Sequence, residues 1–186
     1  HYNQLRLDFE GGYSVTFRVF DEGCAYRFET ALTGGRTVAD EVAEFNFAGD
    51  PELFVAYSDG LCNAYQSQYV KCRLSELGTE KPVLLPLAAD CGPAGRVLVC
   101  ESDLESYPGM FLMPSSGGLR GLFAQVPDSC YLHERRCQEK VATRHGYIAC
   151  VQGARTYPWR ILAVADEDRE LPTNNLVSVS YTHLTL

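Results

Sequence analysis

The chain has 186 residues, 46% of them hydrophobic and 22% charged, with 16 glycines, a composition able to bury the core of one globular domain. Its net charge of −8 and pI near 5.0 argue against nucleic acid or an anionic membrane surface as partner, because a basic patch supplies most of that affinity. It has no run of about 18 apolar residues, so no membrane span is expected. The first residue is His1 rather than methionine, so a targeting segment could lie upstream.

The predicted elements are strands almost throughout. Leu5, Leu7 and Phe9 alternate with Arg6, Asp8 and Glu10; Gly11 and Gly12 turn the chain; Tyr13, Val15, Phe17 and Val19 then alternate again, which predicts a hairpin. A second turn at Asp21, Glu22 and Gly23 leads into Cys24, Tyr26 and Phe28, completing a three-strand meander. Arg18 and Arg27 read as exposed cross-strand partners for nearby acids. Phe45 and Phe47, the run 53–57 and the stretch 65–74 predict further strands between Gly- and Pro-bearing turns. Tyr57, Tyr65 and Tyr69 could form a carbohydrate-stacking platform, although aromatic residues in strands serve more often as core or cross-strand partners. Residues 82–87 read as a buried strand broken by Pro86.

Residues 96–114, RVLVCESDLESYPGMFLMP, set an acidic cluster between two apolar strands. If the first strand continues, Glu101, Asp103 and Glu105 share one face over roughly 14 Å. Two readings stand: a solvated strand end entering a turn, or a rigid Glu101 acting as an oxygen ligand for a hard cation such as calcium. Further on, residues 119–126 predict a short strand. In 131–142, YLHERRCQEKVA, the apolar residues Leu132, Cys137 and Val141 are too sparse for a helical face, so a loop with some helix is expected. Residues 147–151 and 160–165 predict the last strands. Trp159 reads as a core or domain-interface anchor. Arg160 alternates away from Ile161 and could pair with a carboxylate of a neighbouring domain, or make an exposed salt bridge. The whole pattern predicts an all-β, two-sheet sandwich of mainly antiparallel strands with little helix.

Eight cysteines, Cys24, Cys62, Cys72, Cys91, Cys100, Cys130, Cys137 and Cys150, contain no C-x-x-C spacing, and the four histidines complete no zinc pattern. An exported chain could pair them, with Cys91 to Cys100 or Cys130 to Cys137 as hairpin-sized candidates. For Cys24 and Cys100, inside strand patterns, the role of a small buried hydrophobe is preferred.

The strings YNQLRLDF at 2–9, TFRVFDEGCAYRFET at 16–30, ESDLESYPGMFL at 101–112 and YIACVQGARTYPWRILAVADEDREL at 147–171 together resemble the amino-terminal part of glycoside hydrolase family 97, α-glucosidases and α-galactosidases of bacterial polysaccharide utilisation. The resemblance implies a β-super-sandwich over 1–178, followed in the parent enzyme by a (β/α)₈ barrel that carries the catalytic carboxylates, so this chain alone is expected to be inactive on an α-linked glucoside or galactoside. It also implies a calcium site built mostly from barrel glutamates with one glutamate from the amino-terminal domain, matched here by Glu101, and a periplasmic or exported location. Cys150 and Val151 stand where the family pattern is more polar. The octapeptide VSYTHLTL at 179–186 departs from the family and reads like a translated sequencing adapter, a non-native tail. A stand-alone carbohydrate-binding module and a disulfide-bonded structural or adhesion sandwich are the other classes compatible with the strand pattern.

Overall fold

A computed structural model describes residues 1–62, 65–135 and 138–181. Alternation in the first thirty residues gives the expected meander: β1 (Asn3–Phe9), β2 (Tyr13–Phe20) and β3 (Gly23–Thr30), paired antiparallel in register, Leu5 opposite Phe17 and Phe17 opposite Tyr26. Gly23 has to be glycine, since its φ is +142° and a Cβ would stand 2.2 Å from the Leu162 carbonyl oxygen. There follow β4 (Gly35–Val38), β5 (Glu44–Asn46), β6 (Glu52–Ala56), β7 (Tyr69–Arg73), β8 (Leu87–Asp90), β9 (Arg96–Ser102), β10 (Met110–Ser115) and β11 (Gly118–Phe123). The chain then forms β12 (Pro127–Leu132), β13 (Glu139–Arg144), β14 (Ala149–Gln152), β15 (Arg155–Thr156), β16 (Trp159–Ala165) and a six-residue helix α1 (Leu176–Tyr181).

The main sheet has the order β1-β2-β3-β16-β9-β8-β6-β7, with β15 also on β3; β10-β11-β5 form a second sheet, and β12-β13 and β14-β4 are two-stranded ribbons. Leu53, Val55, Leu87, Ala89 and Val99 of the main sheet pack against Phe45, Met110, Leu112, Leu119 and Phe123 of the second and Ala149 and Val151 of β14 in one buried cluster. This is the all-β sandwich that the alternation predicts. The opposite face of the main sheet buries Ala25, Cys100, Trp159, Ile161 and Ala163 under Leu176 of α1, so Trp159 is a core residue, 1% exposed.

Some expectations fail for physical reasons. The stretch 131–142 contributes to a hairpin, β12 with β13, in which Tyr131 pairs with Lys140 and Leu132 with Glu139; its sparse apolar residues suit an exposed ribbon better than a helix, and Cys137 lies outside the described residues. Residues 82–87 are not a strand of their own. Val83 instead bridges Tyr57 and Leu112 between the two sheets, and the strand begins at Leu87, beyond Pro86, which has no N–H to donate to a ladder. Cys24, Cys62, Cys72, Cys91, Cys100, Cys130 and Cys150 are free thiols, which removes the Cys91 to Cys100 pairing. Residues 182–186, most of the expected tail, lie outside the described residues.

Candidate functional site

Strand register, more than any motif, builds the site. Arg160 on β16 stands opposite Tyr26 of β3 and Glu101 of β9, so its side chain projects from the core face of the main sheet. It is 1% exposed. A guanidinium there needs partners for every donor it turns inward. Arg160 Nε and Nη2 donate to the two oxygens of Glu41 at 2.7 and 2.8 Å, and Nη1 donates to Glu101 Oε2 at 2.6 Å. Its plane lies over Phe123, 5.0 Å from the ring centroid. The planar fork of arginine matches this two-sided arrangement, and lysine has no equivalent geometry. The expectation of an exposed or interdomain partner for Arg160 is therefore replaced by two carboxylates of its own domain.

With both glutamates ionised the cluster carries one negative charge more than positive, and Glu101 feels the imbalance. Its carboxylate also accepts the Met110 N–H, 3.0 Å from each oxygen. Burial pushes its pKa up to about 7, against the pull of Arg160 and the Met110 amide, and the Glu41 charge pushes in the same direction as burial. Burial likewise raises the Tyr107 hydroxyl, with the neighbouring Glu41 adding to it, and takes Cys100 to about 12 with help from the Glu101 charge. Gly109 leaves Glu101 its room, because a Cβ at that position would stand 3.2 Å from Oε1.

The three acids of the central stretch do not share a face. Strand β9 ends at Ser102, and Asp103 takes a left-handed φ of 62°, which breaks the alternation on which the expectation rested. Asp103 turns to the other face of the sheet, 3.6 Å from Arg27 Nη1, while Glu105 is exposed. Arg27 is itself buried, not an exposed cross-strand partner; its guanidinium and that of Arg18 lie 4.5 and 4.7 Å from the Trp159 ring centroid. The three candidate platform tyrosines each have a structural partner: Tyr57 packs on the core, Tyr65 stacks on Phe111, and the Tyr69 hydroxyl donates to the Pro86 carbonyl at 3.1 Å.

Glu41 escapes sequence reading because it sits in VADEVAEF, where alternating acids look like a solvated turn; only the inward register of Arg160 shows why a carboxylate must be there. Among the described residues no group of three or more His, Cys, Asp or Glu side chains is placed to hold a metal ion. Calcium collects six to eight oxygens, and the oxygens of Glu101 already accept from Arg160 and the Met110 N–H.

A family described as Glycosyl-hydrolase 97 N-terminal matches residues 1–179. The chain is 34% identical over 188 residues to a retaining alpha-galactosidase of Bacteroides thetaiotaomicron, a match that covers 95% of this chain but only 28% of the galactosidase. Among solved structures it is similar to a glycoside hydrolase family 97 enzyme from Pseudoalteromonas sp. strain K8 in complex with acarbose, with a TM-score of 0.63 at 16% identity over 94% of this chain and 29% of that one. It is similar also to a beta-arabinopyranosidase, with a TM-score of 0.65 at 22% identity over 89% of this chain and 27% of that one. These two likenesses show the fold. The chain spans less than a third of the length of each of these three relatives.

Proposed function

The chain belongs to the glycosyl-hydrolase 97 N-terminal family, and from that premise we propose that it is the non-catalytic sandwich of an exo-acting, calcium-dependent α-glycosidase, packed on a catalytic (β/α)₈ barrel. The observation that carries the proposal is the 34% identity to a retaining alpha-galactosidase over 95% of this chain, which makes an α-galactoside the first substrate to test and an α-glucoside the second. Glycoside hydrolysis needs two carboxyl groups flanking the scissile bond. Here the carboxylates Glu41 and Glu101 are instead locked to one guanidinium inside the sandwich, an arrangement suited to support rather than to acid–base chemistry on a sugar.

In the complete enzyme Glu101 would supply one carboxylate ligand to calcium, the remaining protein ligands coming from the barrel. Calcium, when bound, supplies a fixed divalent charge able to polarise a substrate oxygen. Arg160 and the Met110 amide hold the Glu101 carboxylate in place, and Gly109 keeps Oε1 clear of a side chain.

The test is a chimera in which this chain replaces the matched region of the Bacteroides galactosidase. It should hydrolyse an aryl α-galactoside. Glu101→Gln should lower its calcium affinity, read by titration, by roughly tenfold or more, and reduce turnover, while Glu105→Gln at an exposed position leaves both unchanged. Asp103 is unsuitable as a control because it faces Arg27. Calcium affinity and turnover unchanged by Glu101→Gln would remove the ligand assignment.

A further inference from the structure

Residues 103–109 carry the chain from the end of β9 in the main sheet to the start of β10 in the second sheet. The groups that hold Glu101 stand at the two ends of this connection: Glu101 itself lies in the last turn of β9, and the Met110 N–H that both its oxygens accept opens β10. Between them Asp103 and Ser106 take left-handed φ values of 62° and 58°. Residues other than glycine keep that conformation only where their surroundings over-determine it. On the core side Tyr107 is buried edge-on to Phe123 and Tyr157, with its hydroxyl on Glu41. Arg155 Nη2 donates to the Glu105 carbonyl at 3.0 Å. On the opposite face of the main sheet Asp103 meets Arg27.

That last anchor is assembled from distant strands. Arg27 of β3 lays its guanidinium across the ring of Trp159, which pairs with Ser102, the last residue of β9. From there Nη1 stands 3.6 Å from Asp103 Oδ2, while Nε donates to Glu29 at 3.2 Å. Glu29 in turn accepts from Thr16 and Arg6. Charges thus alternate from Arg6 through Glu29 and Arg27 to Asp103, tying the first hairpin to the connection. The side chains of Arg27 and Asp103 are largely buried, and Nη1 has no hydrogen bond among the described residues, so the Asp103 carboxylate is the charge that compensates it.

We propose that Asp103 is a positioning residue for Glu101. Held by Arg27, it fixes the start of the connection whose far end presents the Met110 N–H, and through the connection it sets the orientation of the Glu101 carboxylate. Its consequence for calcium rests on the proposed function; the positioning is a property of this chain by itself.

The test compares two glycine substitutions in the 186-residue chain. Glycine takes a left-handed φ freely, so Asp103→Gly removes the carboxylate without a clash, and Ser106→Gly gives the same freedom to the same connection while leaving the Arg27 contact in place. Amide hydrogen exchange is read at Met110 relative to the core residue Val99, so that a loss of global stability cancels in the ratio. Asp103→Gly should raise the ratio by at least about threefold, near the low end of coupling within one ion-pair network, and Ser106→Gly should leave it unchanged. Asp103→Asn, which keeps the shape and one oxygen for Nη1, should stay closer to the parent than Asp103→Gly. Equal acceleration at Met110 and Val99 would overturn the assignment by making Asp103 a residue of general stability. A ratio raised as far by Ser106→Gly as by Asp103→Gly would overturn it too, by making chain flexibility the cause. In the galactosidase chimera Asp103→Gly should also weaken calcium binding, read by titration, by roughly tenfold. A Met110 ratio that responds while calcium affinity holds would leave the positioning standing and count against Glu101 as the ligand.

Discussion

Replacing Glu101 by glutamine in the 186-residue chain should change how stability depends on pH, and the direction follows from where the carboxylate sits. Its pKa is raised from 4.5 to about 7 in the folded state, burial being the largest cause. A raised carboxylate pKa means that between these values the folded chain keeps a proton that the unfolded chain has released. Below pH 4.5 both states are protonated and Glu101 costs nothing; from there stability falls as pH rises, and above pH 7 the penalty is constant. The shift corresponds to about 3 kcal/mol at 1.36 kcal/mol per pH unit, a large share of the 5–15 kcal/mol that holds a typical domain together. Glutamine has the shape of the neutral acid and does not titrate. Its stability relative to wild type should therefore rise by about 3 kcal/mol from pH 4 to pH 8, whatever constant offset the amide introduces toward Arg160. Urea unfolding at half-unit pH intervals, without calcium, gives that difference directly, because groups away from the Arg160 cluster titrate alike in the two proteins. A difference that stays flat with pH, or a variant that loses ground as pH rises, would refute the claim that burial outweighs the Arg160 ion pair.

Arg160→Met should cost about 3–5 kcal/mol in the same urea assay, since it strands two buried carboxylates that share one guanidinium; a loss under about 1 kcal/mol, the range of an exposed pair, would mean that the cluster opens to water. Native-state thiol labelling followed by peptide mass mapping should modify Cys62, Cys130 and Cys150, which are exposed, and spare Cys100, which is buried and whose thiol is pushed up to about 12. Labelling of Cys100 at the rate of Cys150 would show that the sheet face beneath α1 is not closed.

Alternation alone determined much of this protein. The meander β1 to β3 and the strands β6, β9, β10 and β16 were legible from their alternating or continuous apolar residues, and all but β1, which is exposed along its whole length, bury at least one face. The glycines that turn the chain at Gly11, Gly12 and Gly23 marked its corners for an equally local reason. The four family-like strings pointed to the family that the 34% relative bears out, and Glu101 stood out because it closes an apolar strand. What lay beyond sequence was every consequence of one strand meeting another. Whether Arg160 faces water or core depends on which side of the sheet receives the second layer, and nothing within WRILAVA says so. Glu41 is 119 residues away from Arg160, so no window joins them. Asp103 parted from Glu101 because one backbone angle at a strand end reversed the alternation. The hairpin of β12 and β13 was missed because β12 is exposed on both sides and no residue of β13 is fully buried, which leaves no periodic burial to record. Tertiary structure decided these points because the cost of burying a charge is fixed by its partners, and those partners are brought together only by the fold.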